Sequence, residues 1–251
     1  MLELTQDLLQ QVRRIAIAAG EAILTVYQRD FSVEQKDDDS PLTEADLAAH
    51  HLILAQLTKL TPDVPVLSEE AADIPWSERQ QWTEYWLVDP LDGTKEFIKR
   101  NGEFTVNIAL IQHGEPVLGV IHAPVLDKTY AAAEGLGATR QQDGLTETIR
   151  VALTPSAGEV VKVVGSRSHY SADVEDYLSR FQQHELIAVG SSLKFCLVAE
   201  GSAHLYPRFG PTMLWDTGAG HVIAKVAGAQ VEYQGIANPA YHRENLKNPN
   251  F

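Results

Sequence analysis

The sequence is poor in cysteine, in positive charge and in long apolar runs, and each shortage removes a class of protein. Cys196 is the only cysteine, so a disulfide framework is excluded, and a lone thiol fits a reducing compartment. Lys and Arg number 20 against 34 Asp and Glu, a formal charge of −14. That balance argues against a nucleic-acid polymer as partner, because phosphate backbones are gripped by clustered cations. No segment approaches the roughly 18 apolar residues of a membrane span. Glu3, Asp7, Arg13, Arg14 and Glu21 interrupt any signal-like run at the N-terminus. A soluble, unsecreted, cytoplasmic protein without a transmembrane segment is expected. With 44% hydrophobic residues in 251, the chain can bury a core unaided, as one large domain or two close-packed subdomains.

Acidity has a bland explanation, solubility, and a sharper one, that some carboxylates bind divalent cations which then attract phosphate. Composition by itself favours the first, so the positions of the acids decide.

Leu4, Leu8, Val12, Ile15, Ala19, Ile23 and Val26 recur at spacings of four and three, predicting an amphipathic helix that ends near Tyr27. The polar stretch Gln35 to Pro41 reads as a loop. Thr43-Glu44-Ala45-Asp46 then starts a second helix with Leu47, Leu54 and Leu57 facing inward. Strands are expected at Pro65 to Leu67, Tyr85 to Val88, Thr105 to Gln112, Pro116 to His122 and Thr129 to Ala133. Leu153-Thr154-Pro155-Ser156-Ala157-Gly158 reads as the one internal boundary. Beyond it strands (Val160 to Val164, Leu186 to Val189, His204 to Tyr206) alternate with helices (Ser171 to Phe181, Leu193 to Ala199, Asp216 to Ala227), a layered α/β pattern.

Three acidic signals sit at strand ends or helix starts: Ser68-Glu69-Glu70, Asp89-Pro90-Leu91-Asp92-Gly93-Thr94, and Trp215-Asp216-Thr217-Gly218-Ala219-Gly220. Singly, each has an ordinary structural explanation as a solvated pair, a turn or a helix cap. Asp89 and Asp92 together are harder to dismiss. A strand delivers Asp89, Pro90 fixes the next φ, and Gly93 lets the chain fold back, so both carboxylates can aim at one spot beside the Leu91 carbonyl. Such hard oxygen donors, with no Cys/His cluster at ligand spacing, suit Mg²⁺. Two such ions could activate a water and stabilise the leaving oxygen of a phosphoryl transfer. The Gly93 and Thr94 amides could hold phosphate oxygens if they open a helix.

The second and third signals closely resemble the two signatures of the inositol monophosphatase superfamily of Li⁺-sensitive, Mg²⁺-dependent phosphatases, and Glu69 sits where that family places a metal glutamate. The resemblance covers essentially the whole chain. It narrows toward the bacterial bisphosphate nucleotidases of sulfur assimilation through Trp86 to Ile98, Gly190-Ser191-Ser192-Leu193-Lys194-Phe195-Cys196 and Tyr206-Pro207-Arg208-Phe209-Gly210-Pro211-Thr212. It implies a five-layer αβαβα sandwich: residues 1–153 around a large antiparallel sheet carrying most metal ligands, and residues 154–251 around a smaller mixed sheet with the nucleotide-binding residues. Glu69, Asp89 and the Leu91 carbonyl would hold one Mg²⁺, and Asp89, Asp92 and Asp216 a second. A third, weaker ion would lie near Glu69, reached by Asp46 through water. Thr94 and Asp46 would orient and deprotonate the attacking water, with Glu69 assisting. Glu69, Leu91, Asp92, Gly93, Thr94, Ser191 and Asp216 would contact substrate.

The implied substrate is adenosine 3′,5′-bisphosphate, losing its 3′-phosphate to give AMP, with 3′-phosphoadenylyl sulfate a further candidate. Lys194 and Arg208 are candidates for the second phosphate, and Phe195 or His169 for the base. Each has a structural alternative: Lys194 as a solvated helix residue, Arg208 as an ion-pair partner. Asp46 has one too, because Thr43 to Asp46 matches a helix capping box. The rival enzyme is an inositol-1-phosphate phosphatase. The rival from another class is a cation-binding protein with an inactive site, against which the Thr94–Asp46 pair speaks. Monomer and homodimer both remain open. Related bacterial proteins can attach peripherally to the inner membrane, but no anchoring helix is visible here. The abrupt end at Lys247-Asn248-Pro249-Asn250-Phe251 allows for a few further residues.

Overall fold

The computed structural model describes residues 1–35, 41–165, 172–235 and 241–251. Helix α1 (Gln6–Tyr27) starts where Thr5 accepts a hydrogen bond from the Leu8 amide at 3.1 Å, and it buries Leu8, Val12, Ile15, Ala19, Ile23 and Val26 as their spacing predicts. Strands β1 (Val33–Gln35) and β2 (Pro41–Thr43) form a small antiparallel pair leading into α2 (Glu44–Leu60). The expected loop at Gln35 to Pro41 overlaps both strands at its ends, and its middle lies outside the described residues.

The inward stripe of α2 differs from expectation. Leu47 is 38% exposed and Leu54 only partly buried, while Ala45, Ala49, Ile53 and Leu57 are buried. The packing face runs at spacings of four through two alanines, whose short side chains let α2 lie close against α1. Side-chain size had pointed to the leucines; close approach selects the alanines.

A seven-stranded sheet follows, in the order β3 (Val66–Ser68), β4 (Glu84–Asp92), β5 (Thr105–Gln112), β6 (Glu115–Ala123), β7 (Lys128–Ala133), β8 (Gly137–Gln142) and β9 (Leu145–Thr148). Only β3 and β4 are parallel; the other neighbours are antiparallel. Short helices α3 (Trp76–Arg79) and α4 (Thr94–Ile98) flank β4 in sequence. Both sheet faces are buried, so the central strands are apolar at nearly every position rather than alternating. Trp86, Val88, Ile108 and Leu110 face α1 and α2, whereas Tyr85, Leu87, Ala109 and Ile111 face the opposite side. Strands β8 and β9 were not expected, because they are mostly polar and carry no apolar alternation; their joining Asp143-Gly144, both with positive φ (50° and 76°), is the turn signal that marks them.

Past residue 160, β10 (Val161–Gly165) pairs in parallel with β11 (His184–Ala188), and α5 (Ala172–Leu178) covers one face through Val174 and Leu178. Helix α6 (Leu193–Ala199) covers the other and packs on α7 (Leu214–Ala227), which lies on the large sheet. The order is helices, large sheet, helices, small sheet, helix: five αβαβα layers. The expected strand at His204 to Tyr206 is reduced to one parallel bridge from Leu205 to Val163, and among the described residues the small sheet is parallel rather than mixed.

The small residues of α7 are explained by close packing. A Cβ on Gly218 would meet Leu87 Cδ2 at 2.9 Å, one on Gly220 would meet Phe195 Cδ2 at 2.4 Å, and one on Gly119 of β6 would meet Val222 Cγ1 at 2.5 Å. No described helix is long and apolar enough to cross a membrane.

Two histidines are sealed into this packing. His122 on β6 pairs with Thr129 Oγ1 at 2.9 Å, and His221 on α7 with the Tyr241 hydroxyl at 3.2 Å. Burial pulls both imidazoles down to about 4, against 6.5 for a free histidine. Between those values the unfolded chain takes up protons that the folded chain refuses, so each subtracts stability as pH falls, by on the order of 3 kcal/mol once below about 4. Histidine NMR titration is expected to leave both rings neutral at pH 5; a normal titration near 6.5 would contradict the sealed packing.

Candidate active site

The acids converge at the end of β4. The strand carries Asp89 to its buried end, where its pairing with β5 shifts register between Asp89/Asn107 and Asp92/Thr105. Gly93 follows in the left-handed region, φ 95°, and turns the chain into α4, which Thr94 opens. Asp89 is 1% exposed, and its Oδ1 accepts from the Leu91 amide at 3.1 Å. Glu69 begins a one-turn helix directly after β3, which β4 pairs in parallel, so the two strand ends bring Glu69 toward Asp89. Asp216 sits in the first turn of α7, its Oδ2 accepting from the Met213 amide at 2.9 Å. It is therefore a third-position acid answering Met213, not the N-cap residue itself.

Burial is the main reason the Asp89 carboxyl is pushed well above the ordinary range, followed by repulsion from Glu69, Asp92, Asp216 and Asp46. Asp216 is raised for the same first reason, then by Asp92, with the Met213 amide and Arg208 opposing. Five carboxylates thus feel one another around the buried Asp89. Among the described residues, no three His, Cys, Asp or Glu side chains are gathered closely enough to hold an ion. The donor set itself, all oxygen and overcharged, fits hard divalent cations, which would relieve the repulsion.

Asp46 uses both of its oxygens. Oδ2 accepts from the Thr43 amide at 2.8 Å and the Thr43 hydroxyl at 2.6 Å, completing the capping box, while Oδ1 accepts from Thr94 Oγ1 at 3.3 Å. Thr94 Oγ1 also lies 3.3 Å from the Leu91 carbonyl.

Beside the acids opens a cleft of about 150 Å³, lined by Asp92, Gly93, Ser191, Lys194, Arg208 and Asp216 among others. Lys194 is not solvated. It is 6% exposed, donates to the Ser191 carbonyl at 2.6 Å, and lies 5.6 Å from the Tyr206 ring centroid. Burial lowers it to about 8, against upward pulls from Asp92, Glu96 and Asp216. Arg208 makes no carboxylate ion pair among the described residues; Nη2 donates to the Pro211 carbonyl at 3.1 Å. Arg208 Nε and Ser191 Oγ are buried without a hydrogen-bond partner among the described residues, as are Arg13 Nε and Arg243 Nε away from the cleft. Phe195 is 5% exposed, with one face stacked on Phe251, so it is a wall of the cleft and not an open platform for a base. His169 lies outside the described residues.

Sequence reasoning missed a buried polar chain behind the cleft. Asn107 Nδ2 donates to Ser192 Oγ at 3.0 Å and approaches Asp92 Oδ2 at 3.4 Å, and Ser192 Oγ donates to the Asp216 carbonyl at 2.8 Å. The available signal was an asparagine inside the apolar run Val106-Asn107-Ile108. Lys95, Tyr206 and Thr212 also line the cleft and were not singled out.

The family model for the inositol monophosphatase family matches residues 5–237. The chain belongs to that family. Among its relatives, the 3′(2′),5′-bisphosphate nucleotidase CysQ of Escherichia coli strain K12 is 54% identical over 248 residues, covering 97% of this chain and 98% of that protein. A solved CysQ from Bacteroides thetaiotaomicron superposes with a TM-score of 0.84 at 43% identity, over 98% of this chain and 96% of that one. The inositol monophosphatase of Thermotoga maritima does so with a TM-score of 0.73 at 28% identity, over 89% and 84%. As a member of the inositol monophosphatase family, the chain is a phosphatase.

Asp46→Asn keeps the size of the side chain and one acceptor for the cap, so its thermal melting point is expected to stay near that of the parent. Phosphate release is expected to fall at least about 100-fold, Thr94→Ala to fall similarly, and the double variant to be scarcely worse than either. Early melting with normal turnover would reduce Asp46 to a helix cap.

Proposed function

We propose that this chain is a Mg²⁺-dependent 3′(2′),5′-bisphosphate nucleotidase that hydrolyses the 3′-phosphate of adenosine 3′,5′-bisphosphate to AMP and phosphate, with 3′-phosphoadenylyl sulfate as a further substrate. The observation that supports this most is the cleft itself, whose lining brings Asp92 and Asp216 together with Lys194 and Arg208. A substrate with one phosphate has use for the acids and their cations; the two basic residues have a use when a second phosphate is present. The name carried by the Escherichia coli relative, 54% identical over nearly its full length, supports the same substrate.

In this reading Glu69, Asp89 and the Leu91 carbonyl would hold one cation, and Asp89, Asp92 and Asp216 another, with Glu69 available to a third and weaker one. Bound there, the ions would acidify the attacking water and take up charge on the leaving oxygen. The chain's own groups do the rest. Thr94 Oγ1, held by Asp46 Oδ1, orients the water and passes its proton toward the carboxylate, with Glu69 assisting. The Gly93 and Thr94 amides steady the reacting phosphate, and Ser191 Oγ, Lys194 and Arg208 grip the second.

Asp89→Asn is expected to abolish turnover, and calorimetric Mg²⁺ titration to show weakened binding, because a neutral amide cannot serve two cations. A variant with parental kcat at ordinary Mg²⁺ would sink the metal assignment.

Selectivity is tested best at Arg208, since Lys194 also satisfies the Ser191 carbonyl and its removal disturbs the backbone. A charge-assisted contact contributes roughly 1.5–3 kcal/mol, so Arg208→Ala is expected to raise KM for adenosine 3′,5′-bisphosphate about 10- to 100-fold. Adenosine 3′-monophosphate should be little affected. Equal losses on both would assign Arg208 to the fold, and faster parental turnover of inositol 1-phosphate would favour the rival substrate.

A further inference from the structure

Arg208 belongs to a stretch, Tyr206 to Thr212, that has no helix or strand of its own. Something else must fix a side chain asked to meet a phosphate. That something is the segment Leu246 to Phe251, which lies alongside it. The Arg208 amide donates to the Phe251 carbonyl at 2.7 Å, and the Phe251 amide donates back to the Arg208 carbonyl at 3.2 Å. Farther along, the Asn248 amide donates to the Thr212 carbonyl at 2.7 Å, and the Leu214 amide to the Leu246 carbonyl at 2.9 Å. Asn248 Nδ2 adds bonds to the Met213 carbonyl at 2.7 Å and to Thr217 Oγ1 at 3.0 Å. Residues 208 to 217, which carry both Arg208 and Asp216, are thus pinned from one side by a single strap.

Phe251 anchors the end of that strap nearest Arg208. Its ring stacks on Phe195 at 5.6 Å and 19°, and meets Tyr206 edge-on at 5.3 Å and Tyr233 at 5.4 Å. Phe195 and Tyr206 are walls of the cleft, and Tyr206 also carries the cation contact of Lys194. The ring therefore packs against two walls of the cleft without lining it. These residues also lie past 237, where the match to the family model ends.

We propose that Phe251 is a positioning residue for the second phosphate: it holds Arg208 where that phosphate binds. This rests on the reading of Arg208 given under the proposed function. Removing the ring leaves the main-chain bonds available but empties the space behind Tyr206 and Phe195, and the Arg208 stretch loses its backing. The reacting phosphate, served by residues on β4, α4 and α7, keeps its own supports.

Four variants test this, with adenosine 3′,5′-bisphosphate and adenosine 3′-monophosphate as paired substrates. Phe251→Ala is expected to raise KM for the bisphosphate about tenfold while moving kcat less than about twofold, the pattern of a lost binding contact outside the reacting centre. KM for the monophosphate should not follow. Phe251→Tyr keeps the ring and should restore the parental KM. Arg208→Ala combined with Phe251→Ala should be no worse than Arg208→Ala alone, because the ring acts through the arginine. If Phe251→Ala does not fold, Phe251→Leu carries the same comparison. A parental bisphosphate KM in Phe251→Ala, equal losses on both substrates, or losses that add in the double variant would each overturn the inference. Silence of Arg208→Ala would instead remove the second-phosphate reading beneath it.

Discussion

Negative charge gathered at the buried end of β4 is the constraint around which the molecule is arranged. Asp89 is nearly inaccessible and faces Glu69, Asp92, Asp216 and Asp46. Left to electrostatics the acids would separate, and the fold holds three of the five by a backbone donor: the Leu91 amide for Asp89, the Thr43 amide for Asp46, the Met213 amide for Asp216. Two of these belong to the same device. Asp46 and Asp216 each occupy the third position of a helix, where the exposed amides and the helix dipole favour a carboxylate. Helices from opposite faces of the large sheet thereby deliver their acids to one strand end, using capping chemistry that stabilises the helices in its own right.

Charge of the other sign is supplied sparingly, and by backbone rather than by ion pairs. Lys194 is buried, held by the Ser191 carbonyl, and has its proton affinity lowered by desolvation. Arg208 rests on the Pro211 carbonyl. Neither is neutralised by a close carboxylate among the described residues, so both retain unspent attraction for an anion. The chain is acidic overall, yet the cleft beside Asp92 is lined by both signs, Asp92 and Asp216 together with Lys194 and Arg208.

The sequence made legible whatever depended on local chemistry. Thr5 and Thr43 mark the starts of α1 and α2, and the motif from Asp89 to Thr94 contains its own explanation: an apolar strand, a proline, and a glycine that takes φ 95°. Harder to see were features set by partners distant in the chain. The buried face of α2 passes through Ala45 and Ala49 because α1 lies close to it, which no property of α2 alone reveals. Strands β8 and β9 form at a half-solvated end of the sheet and so lack apolar alternation. Asn107 reads as an anomaly in β5 until Ser192 and Asp92, from separate elements, are brought to it. For Asp46 the sequence offered a cap, and the structure adds a second contact to it, since one carboxylate oxygen serves Thr43 and the other accepts from Thr94.

Helix α7 carries one further consequence. It touches the large sheet through Gly218 and α6 through Gly220, while Gly119 on the sheet yields space to Val222. With bare backbone on both flanks, the helix has no compressible layer that could absorb a change in its neighbours. Leu87, Phe195 and Val222 are consequently bound into one size allowance. A larger side chain at any of them must displace the helix as a rigid rod, and Asp216 at its tip moves with it. Substitutions at Leu87 and Val222, outside the cleft lining, are in this way translated into shifts at the carboxylates, as are those at Phe195 in its wall, so diversification of these core positions has to proceed in compensated sets rather than one residue at a time.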